Sequence, residues 1–140
     1  YPKRIFLAGS IEMGTAQDWQ KLVIFNLAAI KDILVLNPRR KDWDSSWKQT
    51  IKHKKFKEQV TWELEALEAA DVIFLYFAPE TKSPISLLEL GLFARSKKLI
   101  VVCPAGFWRK GNVEVVCARY GVPLLDTLKE GISELKKLSH

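Results

Sequence analysis

Two glutamates, Glu63 and Glu89, are the side chains of this sequence that are best placed to do chemistry. Each lies on a predicted helix beside the same apolar run, residues 72–77, so that one helix enters this predicted strand and the other leaves it. Two carboxylates placed in this way can converge in one crevice. Such pairs cleave or form glycosidic bonds, because one carboxylate attacks or stabilises positive charge while the other moves a proton.

Each glutamate also has a purely structural interpretation. Glu63 lies in an acidic stretch, residues 62–68, where carboxylates commonly do no more than solvate a helix face. Glu89 lies in residues 87–94, a segment with no other polar side chain, so its carboxyl group needs a partner or a raised pKa. From the spacing alone, both the catalytic pair and the structural interpretation stay open.

A glycine and three serines stand where predicted strands give way to loops or helices. Gly9-Ser10 ends the first strand, where a glycine lets backbone approach a ligand and a hydroxyl can bond an oxygen; the alternative is a plain tight turn. Ser83 precedes Pro84 at a predicted helix start, with Ser86 one turn in. Free N–H groups there suit a phosphate, and the alternative is a simple N-cap.

A polar loop rich in tryptophan, residues 39–51, contains a candidate base-binding site. Trp43 suits stacking on a planar base, with Asp44 or Arg39 holding the edge of the base. Alternatively, the tryptophans fold onto the core and anchor the loop. Residues 9–14 do not form a G-x-G-x-x-G fingerprint, and no acidic residue ends the second strand, so no dinucleotide cofactor is expected.

Predicted strands and helices alternate along the whole chain. The strands are expected at residues 5–8, 33–36, 72–77, 99–103 and 122–125. Helices are expected from Thr15 to about residue 30, over 56–70, from Ser83 to about Ser96, over 112–120, and after a capping box formed by Thr127 and Glu130. The strands are mostly unbroken apolar runs, which is typical of a parallel sheet covered by helices on both faces.

The predicted fold is therefore a single α/β domain over residues 1–140, a flavodoxin-like or Rossmann-like three-layer sandwich with a five-stranded parallel sheet. Ligands in such folds bind beyond the carboxyl ends of the strands, where the strand order reverses. The loops that begin at residues 9, 37, 78 and 104 are accordingly the expected place of a functional site.

Composition narrows the classes of partner. No apolar run approaches the length of a membrane span, and no signal peptide is visible. Two cysteines without a Cys-x-x-Cys motif, and only two histidines, predict neither a disulfide scaffold nor a metal site. A cytoplasmic location is expected. The net charge of +6 comes largely from lysines in residues 48–57, interpreted as a solvated loop and helix start or as a site for an anionic partner.

Several segments together resemble the nucleoside 2-deoxyribosyltransferase superfamily, which also contains nucleoside 5′-monophosphate N-glycosidases. They are residues 6–10 (FLAGS), 63–64 (EL) upstream of 70–71 (AD), and 83–91 (SPISLLELG). Residues 37–40 (NPRR) and 42–47 (DWDSSW) are similar to a deoxyribosyltransferase-like branch of that superfamily. The resemblance spans nearly the whole chain.

The resemblance implies a role for each carboxylate. Glu89 corresponds to the nucleophile that attacks the anomeric carbon of the sugar. Glu63 stands where the family usually has Asp, and would help to protonate the leaving base, whereas Asp71 is interpreted as a strand-entry residue. An aromatic residue near the start of the first strand, often Tyr, hydrogen-bonds the nucleophile in the family, and Phe6 here has no hydroxyl to do so.

The resemblance also distinguishes two activities. Base-exchanging transferases commonly carry Asp where this chain has Ser83, and nucleotide hydrolases carry a Ser that contacts the 5′-phosphate. Ser10 matches a second phosphate-contacting Ser, although the nearby Arg of the hydrolases corresponds here to Glu12, which would repel phosphate. Family sites borrow a polar residue from a neighbouring subunit, for which Asn112 is the match, so a homodimer or larger homo-oligomer is expected.

Taken together, the sequence predicts an enzyme that cleaves or transfers the N-glycosidic bond of a nucleoside or nucleoside 5′-monophosphate without a cofactor or a metal. The expected substrate-binding residues are Phe6, Gly9, Ser10, Arg39, Trp43, Asp44, Ser83, Ser86 and Asn112. The alternative is a non-catalytic nucleotide-binding or regulatory domain of the same fold, which Phe6 and Glu12 favour. A nucleic-acid-binding module would depend on the lysine stretch alone and is not expected.

Overall fold

The computed structural model describes residues 2–10, 18–38 and 50–139, and every structural statement below concerns these ranges. Five parallel strands form one sheet: β1 Lys3–Gly9, β2 Ile33–Leu36, β3 Val72–Tyr76, β4 Leu99–Val102 and β5 Leu124–Leu125. The strand order is β2-β1-β3-β4-β5, with β1 paired to both β2 and β3. The predicted flavodoxin-like α/β sandwich is confirmed, and the strand order reverses between β1 and β3.

Five α-helices cover the sheet: α1 Trp19–Leu27, α2 Lys54–Ala69, α3 Pro84–Phe93, α4 Lys110–Tyr120 and α5 Leu128–Lys136. A short 3-10 turn, Lys137–Ser139, follows α5. Buried side chains of α2, α3 and α4 share one apolar cluster with the sheet, and those of α1 and α5 share another. Among these helices, none combines the length and hydrophobicity that crossing a bilayer requires.

The β1 strand shows why the sheet has two buried faces. Phe6 and Ala8 point into the cluster with α2, α3 and α4, whereas Ile5 and Leu7 point into the cluster with α1 and α5. Successive side chains of a strand alternate between faces, so a run that is apolar at every position requires helices on both sides. Glu63 and Glu89 lie on the face of the sheet that α2 and α3 cover.

Several predicted element boundaries were wrong, each for a local reason. α1 begins after Asp18, whose carboxylate accepts from the amide of Lys21, and Thr15 lies outside the described residues. α2 starts two residues earlier than predicted, because the His53 ring caps it by accepting from the Phe56 amide. The capping box of α5 is confirmed in both of its hydrogen bonds.

The ends of two other elements also came out shorter than predicted. α3 ends at Phe93, whose carbonyl accepts a hydrogen bond from the Ser96 hydroxyl at 2.6 Å, and Lys97 then turns into the left-handed region. β5 is confined to Leu124–Leu125, because the preceding Pro123 has no amide hydrogen and contributes only its carbonyl oxygen to β4.

Candidate active site

The two glutamates lie on the two helices that pack over β1 from the same face of the sheet. α2 carries Glu63 and α3 carries Glu89, and both helices contact β1. The charge of Glu63 acts on Glu89 strongly enough to shift its pKa. The structure therefore brings the two carboxylates together beside the point where the strand order reverses, as their spacing predicted.

Glu89 is a buried acid without a favourable partner. Only 8% of the residue is exposed, and its carboxyl group has no hydrogen bond or ion pair among the described residues. Burial, and next the negative charge of Glu63, raise the pKa of Glu89 to about 8. A carboxyl group in such surroundings is costly to folding, because burial disfavours its charged form and no cation of the described residues pairs with it.

Glu63 is held in place by a neighbour on its own helix. The amide nitrogen of Gln59, one turn earlier on α2, donates to Glu63 Oε1 at 3.0 Å and also lies 3.4 Å from the carbonyl oxygen of Pro38. Burial raises the pKa of Glu63, and the hydrogen bond from Gln59 offsets part of that rise. Both carboxyl groups of the pair are thus shifted toward the protonated form.

Three hydroxyl groups meet at the carboxyl ends of β1 and β3 and form what we call the hydroxyl cluster: Ser10, Thr81 and Ser83. The oxygens of Ser10 and Ser83 lie 2.5 Å apart, and Thr81 Oγ1 lies 2.9 Å from Ser10 Oγ and 2.7 Å from Ser83 Oγ. The amide of Ala78 donates to Ser10 Oγ at 2.8 Å. Three buried hydroxyls in mutual contact give a compact group of donors that can turn toward one anionic oxygen.

Ser83 takes up an unusual backbone conformation for a helix start. Its φ of 48° and ψ of 53° are left-handed, and its side chain makes no cap hydrogen bond to α3. Ser83 is the N-cap residue and Pro84 the first helical residue, as predicted, but the simple N-cap interpretation of its hydroxyl is wrong. The hydroxyl instead joins Ser10 and Thr81, which leaves the first-turn amides of α3 without a side-chain cap from Ser83.

Gly9 and Trp19 fix the end of β1. Gly9 has a φ of 140°, and a Cβ there would overlap the backbone of Tyr76 and the ring of Trp19. The Trp19 indole donates to the carbonyl oxygen of Ser10 at 2.9 Å and packs edge-on against Tyr76. The glycine is thus required by strand and indole packing, whether or not a ligand also approaches it.

Two further predicted site residues lie beneath the surface of this region. Phe6 is only 1% exposed, belongs to the core cluster, and packs with its ring centroid 6.3 Å from that of the half-exposed Trp62. Ser86, 3% exposed, lies on the same buried face of α3 as Glu89, one turn before it. Both residues are therefore buried, and neither side chain lies on an exposed rim.

The remaining predicted residues are not brought to the carboxylates by the described part of the chain. Asn112 lies in the first turn of α4, exposed to solvent. Arg39, Trp43 and Asp44 lie outside the described residues, as does Glu12. Asp71 directly precedes β3, where its carboxylate accepts a hydrogen bond from the Arg4 amide at 2.8 Å. This is the amino end of the strands, whereas Ser10 lies at their carboxyl end.

Sequence reasoning missed two members of the site. Gln59 positions Glu63, and its i,i+4 spacing from that residue on a predicted helix was an available signal. Thr81 completes the hydroxyl cluster, and its position two residues before Ser83 was the corresponding signal. Within the described ranges no group of three or more His, Cys, Asp and Glu side chains could hold a metal ion.

An open depression of about 440 Å³ lies on the other side of α2 from Glu63. It is lined by Lys54, Lys57, Glu58, Thr61, Trp62 and Glu65. These residues recur at helical spacing along the exposed face, whereas Gln59, Glu63 and Leu67 follow the face turned to the sheet. The depression is therefore separate from the carboxylate pair.

Comparison with known proteins gives a family and a fold. A family model described as "nucleoside 2-deoxyribosyltransferase like" matches residues 2–107. Among solved structures, a conserved protein from Enterococcus faecalis V583 superposes with a TM-score of 0.65, covering 98% of this chain and 99% of that one at 13% identity. At that identity the likeness concerns the fold alone. A search of curated protein sequences found no significant match.

Proposed function

The chain belongs to the nucleoside 2-deoxyribosyltransferase-like family, and we propose that it cleaves or transfers the N-glycosidic bond of a nucleoside or nucleoside 5′-monophosphate. The observation that carries this proposal is Glu89, a buried carboxyl group whose pKa is raised by burial and, among the described residues, by the neighbouring charge of Glu63. A structural carboxylate is normally paired with a cation or held by donors. A buried acid that no described residue pairs, near the carboxyl ends of the strands, favours a chemical role.

The mechanism follows from the two carboxyl groups. An Oε atom of Glu89 attacks C1′ of the sugar through an oxocarbenium-like transition state, and the C1′–N bond to the base breaks. Glu63, oriented by Gln59, gives its proton to the departing base. Water then hydrolyses the glycosyl ester, or a second base attacks it and yields a new nucleoside.

This mechanism requires that the two carboxyl groups of Glu63 and Glu89 together carry one proton. Burial raises the pKa of both carboxyl groups, and repulsion by Glu63 raises that of Glu89 further, to about 8. Two like charges in one buried site do not readily ionise together, so the pair retains a proton at neutral pH. Glu89 becomes a nucleophile when that shared proton lies on Glu63.

The hydroxyl cluster supports a substrate with a 5′-phosphate. Ser10, Thr81 and Ser83 lie at the carboxyl ends of β1 and β3, next to the amino end of α3, where helix amides and the dipole favour an anion. Residue 83 is Ser, as in the nucleotide hydrolases that this sequence resembles, and not the Asp common in the transferases. Hydrolysis of a 5′-monophosphate is the activity that these residues favour.

We also propose that the enzyme is a homodimer or larger homo-oligomer. Three large apolar side chains of α3, Ile85, Leu88 and Leu92, are 60%, 59% and 56% exposed and recur at i, i+3 and i+7. This apolar stripe lies on the outer side of the helix that carries Glu89. Asn112 and the 69%-exposed Val115 lie on the exposed face of α4, which covers the same side of the sheet. A second copy would bury the stripe and bring an Asn112 to its neighbour's site.

A non-catalytic nucleotide-binding domain is the second candidate. Phe6 is buried in the core and has no hydroxyl, and no described side chain orients Glu89 by a hydrogen bond. Nucleophiles are usually held by such a partner. Binding without turnover is the behaviour that this alternative predicts.

A product assay distinguishes the candidates. The protein is incubated with a panel of nucleosides and nucleoside 5′-monophosphates, with and without a second free base, and the products are separated by chromatography. Free base without exchange identifies a hydrolase, and a new nucleoside identifies a transferase. Saturable binding with no product from any substrate would replace the enzyme proposal by the nucleotide-binding alternative.

A further inference from the structure

Thr81 lies against both serines of the hydroxyl cluster, in the loop that joins β3 to α3. Its Oγ1 atom is 2.9 Å from Ser10 Oγ and 2.7 Å from Ser83 Oγ, and the two serine oxygens are 2.5 Å apart. Two hydroxyl oxygens at such a short distance need a proton between them or close to both, because their lone pairs otherwise repel each other. The source of that proton decides where the other hydroxyl protons of the cluster can point.

The three hydroxyls of the cluster have one proton each. If the proton of Ser10 lies between the two serine oxygens, it cannot also reach a ligand. The Thr81 hydroxyl offers a replacement, because it contacts both serine oxygens and can donate to them. The proton of Ser10 is then no longer required between Ser10 and Ser83.

The backbone of Ala78 allows Thr81 to donate in this direction. The carbonyl oxygen of Ala78 lies 2.9 Å from Thr81 Oγ1 and also accepts a hydrogen bond from the Thr81 amide at 3.2 Å. Because this carbonyl keeps the amide as its partner, the Thr81 hydroxyl can turn from Ala78 to the serines without leaving a buried acceptor unpaired. The Ala78 amide donates to Ser10 Oγ at 2.8 Å, so the proton of Ser10 points away from Ala78.

Within the described residues, Ser10 has a weak acceptor to which its proton can turn. Its hydroxyl lies 3.3 Å from the carbonyl oxygen of Tyr76, which already accepts from the Ser10 amide at 2.9 Å. A phosphate oxygen is the better acceptor, because charge-assisted hydrogen bonds are about twice as strong as neutral ones. A phosphate beside the cluster therefore draws the proton of Ser10 once Thr81 donates to the serine oxygens.

We propose that Thr81 is a positioning residue for the phosphate of the substrate: its hydroxyl donates to the two serine oxygens, so that Ser10 donates to the phosphate. The inference rests on the proposed function for the place of that phosphate beside the hydroxyl cluster. Thr81 does not itself contact the phosphate. The preference for a 5′-phosphorylated substrate then depends on a residue that acts through Ser10.

The test uses ribose 5-phosphate and 2-deoxyribose 5-phosphate, which contain no N-glycosidic bond, so that binding is measured without turnover. The two free sugars are the uncharged controls. Each ligand is titrated, with detection by NMR, into the wild type, Thr81→Val, which keeps the shape without the hydroxyl, and Thr81→Ser, which keeps the hydroxyl. Thr81→Ala repeats the loss of the hydroxyl with a smaller side chain, and circular dichroism checks that each protein is folded.

A double-mutant cycle with Ser10→Ala separates positioning from direct contact, because residues that act through one another have non-additive effects. Thr81→Val should weaken binding of the better sugar phosphate by about tenfold or more in the wild type, and by less than about threefold in the Ser10→Ala background. Thr81→Ser should bind within about threefold of the wild type. Binding of the free sugars should not change.

Three results would overturn the inference. Neither sugar phosphate binds to the wild type; Thr81→Val weakens sugar and sugar phosphate equally, which would indicate a role in packing; or the loss is the same with and without the Ser10 hydroxyl, which would indicate that Thr81 acts independently of Ser10. The product assay is separate from this outcome. Phosphate binding that depends on Thr81, without glycosidic cleavage, would reject the proposed reaction and keep the positioning role, and cleavage without that dependence would do the reverse.

Discussion

Ser10 and Ser83 are separated by 73 positions in the sequence, yet their hydroxyl oxygens lie 2.5 Å apart. The contact exists because the left-handed backbone of Ser83 turns its side chain away from the helix it precedes and toward the end of β1. The Ser83 hydroxyl thus belongs to the hydroxyl cluster beside the amino end of α3, where helix amides and the dipole favour an anion. The conformation gives α3 no side-chain cap from Ser83, which agrees with the binding role that we propose for this hydroxyl.

Ser83→Ala should weaken the binding of a nucleoside 5′-monophosphate by about tenfold or more, because a charge-assisted hydrogen bond contributes roughly 1.5–3 kcal/mol. The binding of the matching free nucleoside should barely change. Calorimetric titration of both ligands into both proteins measures the difference. An equal loss for the two ligands, or tighter binding of the nucleoside by the wild type, would remove Ser83 from the phosphate site and favour the transferase.

Glu89→Ala should lower turnover by several orders of magnitude, because the covalent nucleophile is lost and the neighbouring Glu63 is needed as the proton donor. The variant should stay folded, since it removes a buried, repelled carboxyl group. The rate of base release is measured on the best substrate of the panel, with Glu65→Ala as the control on the exposed side of α2. Retention of a tenth of the wild-type rate would show that Glu89 is not the nucleophile.

The raised pKa of Glu89 predicts that the stability of the protein depends on pH. Burial and repulsion by Glu63 raise the pKa of Glu89 from 4.5 to about 8, so the native state retains a proton that the unfolded chain releases. This contribution to stability is present below about pH 4.5 and is lost as the pH rises toward about 8. Glu89→Gln keeps the shape of the side chain and has no proton to lose.

Relative to the wild type, Glu89→Gln should therefore gain stability between about pH 4.5 and pH 8, by roughly 4 kcal/mol at the alkaline end. Urea denaturation at a series of pH values measures the difference. Glu65→Gln, which removes an exposed carboxylate, should show no such trend. A constant difference between Glu89→Gln and the wild type across the window would mean that the carboxyl group is ionised throughout.

The apolar stripe on α3 predicts the effect of one charge on assembly. Leu88→Glu places a carboxylate among side chains that a second copy would bury, so the assembly should dissociate to monomers. Phe25→Glu is the control, because Phe25 is 80% exposed on α1 at the opposite face of the sheet. Size-exclusion chromatography with light scattering measures the mass of the assembly. A monomeric wild type with full activity would contradict both the interface and the reach of Asn112.

The order of the elements, the parallel sheet and the carboxylate pair could all be predicted from the sequence. Unbroken apolar runs such as residues 72–76 identify buried strands, and a carboxylate within an apolar helix, Glu89, is conspicuous. The hydroxyl cluster could be predicted only in part. Whether Ser83 caps its helix depends on a backbone angle that tertiary contacts decide, and no local pattern indicates its contact with Thr81 and Ser10.

The contact between Trp108 and Lys82 and the burial of Gln20 show a second limit of sequence reasoning. Trp108 meets Lys82 across two loops that follow neighbouring strands, so their contact depends on strand order and not on spacing along the chain. Gln20 lies in the first turn of α1, where a polar residue is expected to face solvent, yet it is fully buried beside Trp19. A single polar residue on a short amphipathic helix does not reveal on which side of the apolar face it falls.

Replacement of this buried amide should increase stability. Gln20 is 0% exposed, and neither the nitrogen nor the oxygen of its amide has a hydrogen-bond partner in the structure as described. A buried polar group left unpaired costs about 1–3 kcal/mol, and methionine fills a similar volume without one. Gln20→Met should therefore raise the free energy of unfolding by about 1 kcal/mol in urea denaturation.

Gln59→Met is the matched control. The Gln59 amide is also buried but donates to Glu63, so its removal should lower the free energy of unfolding of the protein. Opposite signs for the two substitutions would show that pairing, and not burial, decides the contribution of each glutamine. A loss of stability in Gln20→Met as large as that in Gln59→Met would show that Gln20 has a hydrogen-bond partner in solution. The end of α1 nearest Ser10 would then be the place to look for that partner, because Trp19 joins the two.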